Sequence, residues 1–174
     1  MADRLGVPFE SVEILHGDTQ ISHKGLDTYG SRSLVVGGEA VVKAADKVID
    51  KARRYAAHML EANPDDLEFT DGRFAVAGTD QSVGITEIAG AAFASHDYPD
   101  DIEPGIDADA TYDPVNFSFP HGTHLCAMEV DTETGAVKMR KYTCCDDIGT
   151  IINPLIVAGQ VHGGLVQGLS LIHI

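Results

Sequence analysis

Two stretches of the chain combine residue types that could do chemistry. The first is Gly25-Leu26-Asp27-Thr28-Tyr29-Gly30-Ser31-Arg32-Ser33, which stands directly before a long helical pattern. Gly30 lets a backbone approach a ligand closely or adopt a positive φ. Ser31 or Ser33 is placed to cap the helix, whose start carries a partial positive charge, and Arg32 adds a full one. Such a turn suits a phosphate or another anionic group. The same residues also suit a plain serine N-cap with no ligand, and the residues alone leave both readings open.

The second stretch is Asp146-Asp147-Ile148-Gly149, followed by Ile152-Asn153-Pro154 and Gly159-Gln160-Val161-His162-Gly163-Gly164. Adjacent acids at a strand end can hold a metal or act in acid–base work. They are equally the residues of turns and caps, which is what Asn-Pro signals. Gln160 donates and accepts hydrogen bonds from between glycines, where a flat heterocycle could lie against the backbone. His162 has no spaced partner, and with His121 and His124 it makes no zinc pattern. Cys126, Cys144 and Cys145 form neither a CxxC pair nor a ligand set, so buried thiols are expected. The sequence contains no Ser-His-Asp, phosphate-loop or GxGxxG signature.

The elements that must position these residues read as follows. Met1–Leu5 resembles a last helical turn stopped by Gly6. Ser11–His16 alternates like a strand and ends at Gly17-Asp18-Thr19, and Gln20–Thr28 reads as a loop. A helix is predicted from Ser33 to Ala62, with Val41, Ala45, Val48, Ala52, Ala56 and Met59 as its apolar stripe and Asn63-Pro64-Asp65 as its stop. Asp50 and Arg54 have the spacing of helix neighbours. A hairpin of Leu67–Thr70 and Arg73–Ala77 turns at Asp71-Gly72. Ile85–Ala94 is a short helix, and 96–109 is an acidic loop. A second hairpin runs from Thr123 to Cys145 around Asp131–Gly135, and an apolar, Gly-rich segment covers Leu155–Gly168. The fold class these imply is α+β, with a mixed sheet packed against the long helix and a separate β-hairpin.

The totals narrow the function. With 27 acidic residues against 12 Lys and Arg, the formal charge is −15, which disfavours nucleic acid as a partner. A hydrophobic content of 44% over 174 residues is ordinary for a globular chain with its own core. No apolar run reaches the roughly 18 residues of a membrane span, and no signal peptide opens the chain, so a cytoplasmic protein is expected.

In order and spacing, Gly25–Ser33, His-Gly-Thr-His from His121, Glu-Val-Asp, Thr-Gly, Asp-Asp-x-Gly, Ile-Asn-Pro and Gly-Gln-Val-His-Gly-Gly resemble the large subunits of molybdenum hydroxylases. These form the xanthine dehydrogenase/aldehyde oxidase family. The Tyr-Gly-Ser-Arg-Ser loop is most similar to its aerobic carbon monoxide dehydrogenase branch. The resemblance extends from Met1 to Gly168 and implies a partial C-terminal cofactor-binding domain. It implies a molybdenum-molybdopterin cytosine dinucleotide, with Gly30, Ser31, Arg32, Ser33 and Gln160 as cofactor-binding residues. It also implies an iron–sulfur small subunit, an FAD-binding medium subunit and a small-molecule substrate. The family's catalytic glutamate, in a Gly-x-Gly-Glu segment, is expected beyond Gly164 and outside the chain, so no catalytic residue is assigned. The Ala-Tyr-Arg-Cys loop of true carbon monoxide oxidisers is expected before Met1. Cys144-Cys145 departs from the small or apolar residues usual at that place.

Both ends read as cut. Leu169–Ile174 can be encoded by CTG-TCT-CTT-ATA-CAC-ATC, which resembles a transposon-end adapter, so a non-native tail is expected there, with a genuine short terminus as the alternative. The leading expectation is a cofactor-positioning piece of a carbon monoxide dehydrogenase-like subunit, inactive alone. The alternatives are an aldehyde or N-heterocycle hydroxylase and a non-catalytic interaction domain. The enzyme readings expect Gly30 and Gln160 to face one cleft, whereas an interaction domain expects them far apart.

Overall fold

A computed structural model describes residues 1–21, 25, 28–94 and 101–170. Parts of the Gln20–Thr28 loop, of the 96–109 loop and of the expected tail lie outside these residues. The described chain divides into two compact units, 1–114 and 115–174.

The first unit is built on one helix. After α1 (Ala2–Leu5), Gly6 takes φ 62° and ends the turn. Residues 12–16 are not a strand: after a 3-10 turn at Phe9–Ser11 no described strand pairs with them, and Ile14 and Leu15 stay exposed. Their alternation had no face to bury. The long helix opens with a wide π-helical stretch, Ser33–Gly38, and continues as α2 (Glu39–Met59). Ala45, Ala52 and Ala56 of the expected stripe are buried, but Val41 and Met59 are exposed, while Tyr55 and Ala57 join the buried face. Small side chains let the neighbouring elements approach the helix closely.

The helix stops three residues before the expected end. Ala62 N–H donates to Ala57 O at 2.9 Å and Glu61 N–H to His58 O at 3.3 Å, the paired bonds of a Schellman cap. Glu61 occupies its left-handed position at φ 51°. Asn63 and Pro64 instead open a 3-10 turn at Pro64–Asp66, in which the Asn63 side chain accepts from Asp65 N–H at 3.0 Å.

Strands β1 (Leu67–Thr70) and β2 (Arg73–Val76) turn at Asp71-Gly72, with φ 47° and 76°. Both residues being left-handed is what a two-residue type I′ hairpin requires. Strand β3 (Ser82–Gly84) adds to β2, so the sheet is β1-β2-β3 and antiparallel throughout, not mixed as the pattern suggested. Three residues were too short a run to read as a strand. Helix α3 (Ile85–Ala94) follows at once, and the Glu87 carboxylate accepts from Gly84 N–H at 2.8 Å, as in a capping box. Leu67, Phe74, Val83, Ile85, Ile88, Ala92 and Ile102 close over the Ala52–Ala57 face of α2. Gly6 and Gly72 meet so closely that a Cβ on either would strike the other's backbone.

Residues 101–112 run back along α2. Arg54 pairs with Asp101, not with Asp50 as its spacing suggested; Tyr55 donates to Glu103 O at 3.0 Å and Lys47 to Asp109 O at 2.8 Å. Lys43 lies 4.4 Å from the Tyr112 ring centre. The basic residues off the stripe thus hold an acidic strap.

The second unit contains β4 (His121–Val130), β5 (Val137–Asp147) and α4 (Pro154–Ser170). The hairpin extends beyond the expected Thr123–Cys145 and carries a bulge at Arg140, which forms an ion pair with Glu129. At its turn the Asp131 carboxylate accepts from the N–H groups of Glu133 at 2.9 Å and Thr134 at 3.1 Å. Asn153 caps α4 by accepting from Leu155 and Ile156, with Pro154 at the first position. Cys126 and Cys145 are exposed and Cys144 half-buried, so the expected buried thiols are not found.

Two measurements test these local arguments. Glu61→Gly relieves a left-handed residue and is expected to stabilise the protein by about 1 kcal/mol, read from denaturant unfolding; a loss of stability would contradict the cap. The bonds from the backbone N–H groups of Glu133 and Thr134, then from the Thr134 hydroxyl, hold the Asp131 carboxyl below its usual range. Its stabilising contribution is therefore present at neutral pH and lost as pH falls through that depressed value. An NMR titration placing Asp131 at or above ordinary aspartate would refute this.

Candidate cofactor site

The turn before the long helix is made by two successive left-handed residues, Gly30 at φ 59° and Ser31 at φ 54°. For Ser31 this conformation costs energy that a glycine would not incur. Among the described residues nothing lies within 4 Å of a Cβ built on Gly30. Ser33 does not stand at the N-cap, where it could have capped the helix. Arg32 holds the N-cap position of the π-helical stretch and makes no side-chain cap bond there. The Ser33 hydroxyl instead pairs with that of Thr28 at 2.7 Å, closing the turn across its base.

Arg32 folds back on Tyr29. Its Nη1 donates to the Tyr29 hydroxyl at 3.0 Å, and the guanidinium carbon lies 4.0 Å from the ring centre. Tyr29 remains 60% exposed. The pairing presents a cation and an aromatic plane beside a backbone turn at a helix start. This combination accommodates an anionic group and a heterocycle. Tyr29 and Thr28 were not among the residues singled out from the sequence. The Tyr-x-x-Arg spacing across a turn was the available signal.

Gly30, Ser31, Arg32 and Ser33 are thus brought together at one end of the long helix. Gln160 belongs to the second unit, where it is an exposed residue of α4. In the same unit Asp147 accepts from Gly149 N–H at 3.0 Å, so this acid serves a turn. Asp146 bonds to His124 at 3.0 Å. Among the described residues no three His, Cys, Asp or Glu side chains cluster to hold a metal, and no helix is long and apolar enough to cross a membrane.

The fold and this turn define an α+β cofactor-binding domain, and the comparisons give its family. The profile of the molybdopterin cofactor-binding domain matches residues 1–174. The chain is 45% identical over 171 residues to the carbon monoxide dehydrogenase large chain of Hydrogenophaga pseudoflava, covering 98% of this chain and 21% of that one. It is 41% identical over 170 residues to the 6-hydroxypseudooxynicotine dehydrogenase complex subunit gamma of Paenarthrobacter nicotinovorans, with the same coverages. A crystal structure of Cu,Mo-CO dehydrogenase in its carbon monoxide reduced state superposes with a TM-score of 0.79 at 44% identity, over 94% of this chain and 20% of that chain. The chain spans about a fifth of the length of these relatives. It belongs to the molybdopterin cofactor-binding domain family of the molybdenum hydroxylases, the xanthine dehydrogenase family.

The turn geometry predicts a graded response at Gly30. Gly30→Val forces a β-branched residue into left-handed space and is expected to lower stability by roughly 1–2 kcal/mol. Gly30→Asn, which tolerates that conformation, should lose clearly less in thermal unfolding. Equal losses would show that the positive φ is not the constraint.

Proposed function

We propose that this chain positions the cofactor in the large subunit of a carbon monoxide dehydrogenase-like molybdenum hydroxylase of the cytoplasm. Residues 1–168 form the cofactor-binding part in this reading, and 169–174 are a non-native tail. Gly30, Ser31, Arg32, Ser33 and Gln160 are, in this reading, the residues that bind a molybdenum-molybdopterin cytosine dinucleotide. The observation that carries the reading is the Gly30-Ser31 turn: an open left-handed backbone beside the Tyr29–Arg32 pair, in a chain 45% identical to a carbon monoxide dehydrogenase large chain.

When bound, the cofactor supplies a molybdenum centre at which water-derived oxygen is added to the substrate. For carbon monoxide the balance is CO + H2O giving CO2, two protons and two electrons. The electrons leave through an iron–sulfur subunit and an FAD-binding subunit. The residues of this chain have binding roles. The Gly30-Ser31 backbone admits the ligand, Arg32 neutralises anionic charge, the Ser31 and Ser33 hydroxyls and the Gln160 amide orient polar edges, and Tyr29 offers its ring. The reading assigns no proton transfer to any of them.

A second reading takes the same site in a hydroxylase of N-heterocycles or aldehydes. It is favoured by the 41% identity to the 6-hydroxypseudooxynicotine dehydrogenase subunit and by 38% identity to a nicotine 6-hydroxylase large subunit.

The test uses a complete large chain carrying this segment, assembled with its partner subunits. Arg32→Ala and Gln160→Ala should each lower molybdenum and pterin content by roughly tenfold, the loss of about 1.4 kcal/mol of binding. Full occupancy in both variants would refute these binding roles. Turnover with carbon monoxide and not with N-heterocycles or aldehydes selects the first reading, and the reverse selects the second. The 174-residue polypeptide alone should oxidise none of them.

A further inference from the structure

The β4–β5 register places three polar side chains in one row. His124 stands opposite Cys144, so its diagonal neighbours on the same face are Tyr142 and Asp146. Both are bonded to it: Nδ1 lies 3.0 Å from the Tyr142 hydroxyl, and Nε2 lies 3.0 Å from Asp146 Oδ1. The imidazole and phenol rings meet edge to face with centres 5.8 Å apart. The Asp146 carboxylate, only 20% exposed, crosses over Gly122. A Cβ on Gly122 would overlap Oδ1, so glycine opposite the acid leaves it room to reach the histidine. A carboxylate only accepts, so Nε2 carries the proton and the Nδ1 of a neutral ring accepts from Tyr142.

The far end of this row leads toward α4. Asp146 is followed by Asp147, which closes a turn on Gly149 N–H, where φ is 73°. Residues 148–153 then connect to the Asn153 cap and to the helix bearing Gln160. We infer that His124 is a positioning residue, clamped between Tyr142 and Asp146 so that the end of β5, the connecting turn and the first turns of α4 keep a fixed place. The functional consequence, presentation of Gln160, rests on the cofactor reading above.

The experiment uses the complete large chain with its partners and compares His124→Leu, His124→Gln and Gln160→Ala. Hydrogen exchange is followed over 147–156 and over the distant Asp131–Gly135 turn, and molybdenum content is measured in parallel. His124→Leu should speed exchange over 147–156 about fivefold, from the loss of one net hydrogen bond, leave the Asp131–Gly135 turn unchanged, and lower molybdenum content. His124→Gln should restore both, because its amide donates to Asp146 and accepts from Tyr142 with the same spacing. If His124→Leu does not assemble, Tyr142→Phe replaces it with the same expectation. Unchanged exchange over 147–156, or a glutamine variant as impaired as leucine, overturns the inference. So does faster exchange with molybdenum content intact where Gln160→Ala lowers it. If Gln160→Ala itself leaves molybdenum in place, the cofactor reading of Gln160 fails, and the exchange data still decide on the clamp.

Discussion

The first unit depends on the close approach that alanines permit along α2. Ala52, Ala56 and Ala57 bury little area individually, but they let Phe74, Ile88 and Leu67 come down onto the helix, and these supply the apolar contact. Arg53 shows the effect of this proximity. Its guanidinium donates to Leu67 O and lies 5.5 Å from the Phe74 ring centre, so one cation covers the edge of the core and satisfies a strand carbonyl. A larger residue at position 52 or 56 would lift the sheet and break both contacts. The placement of the Gly30 turn follows, because that turn is the N-terminal continuation of the same helix.

The strap at 101–112 acts on the same helix from outside. The contacts that hold it are individually weak: Arg54–Asp101 is an exposed ion pair, and the others are bonds to backbone carbonyls or a cation on a ring. Their order matters more than their strength: Arg54 with Asp101, Tyr55 with Glu103, Lys47 with Asp109 and Lys43 with Tyr112 descend the helix one after another. A segment held at three successive levels, by Arg54 and Tyr55, by Lys47 and by Lys43, resists sliding along its support. In a chain with formal charge −15, concentrating the bases of α2 under an acidic strap also lowers local self-repulsion.

Much of this was legible because local rules governed it. The Asp71-Gly72 hairpin, the Ile85–Ala94 helix, the Asp131–Gly135 turn and the Asn153 cap all depend on residues within a few positions of one another. What failed depended on partners distant in sequence. Ser11–His16 alternated without a strand to pair with, Arg54 chose an acid 47 residues away over its helix neighbour, and Ser33 bonded to Thr28 instead of capping. The early helix stop was missed for a different reason: Glu61 takes a left-handed place that glycine usually marks. Within the candidate site, the glycine and the arginine were readable, whereas the Tyr29–Arg32 stack needed the turn to be folded first.

The character of the site follows from what the chain lacks as much as from what it has. Several of its few bases, Lys47, Arg53, Arg54 and Arg140, are committed to carboxylates or carbonyls, and the described residues gather no metal-binding cluster. In the proposed cofactor reading, an anionic dinucleotide is therefore not drawn in by a broad basic surface, and the described side chains offer no metal cluster. In that reading, recognition at the turn is short-range, by a left-handed backbone, a helix start, one arginine stacked on a tyrosine, and hydroxyl groups. Such recognition requires those groups to be held in place before the ligand arrives. Under that reading the requirement gives a physical role to features far from the turn itself, from the alanine face of α2 to the histidine clamp on the hairpin, since each fixes an element that carries a proposed binding group.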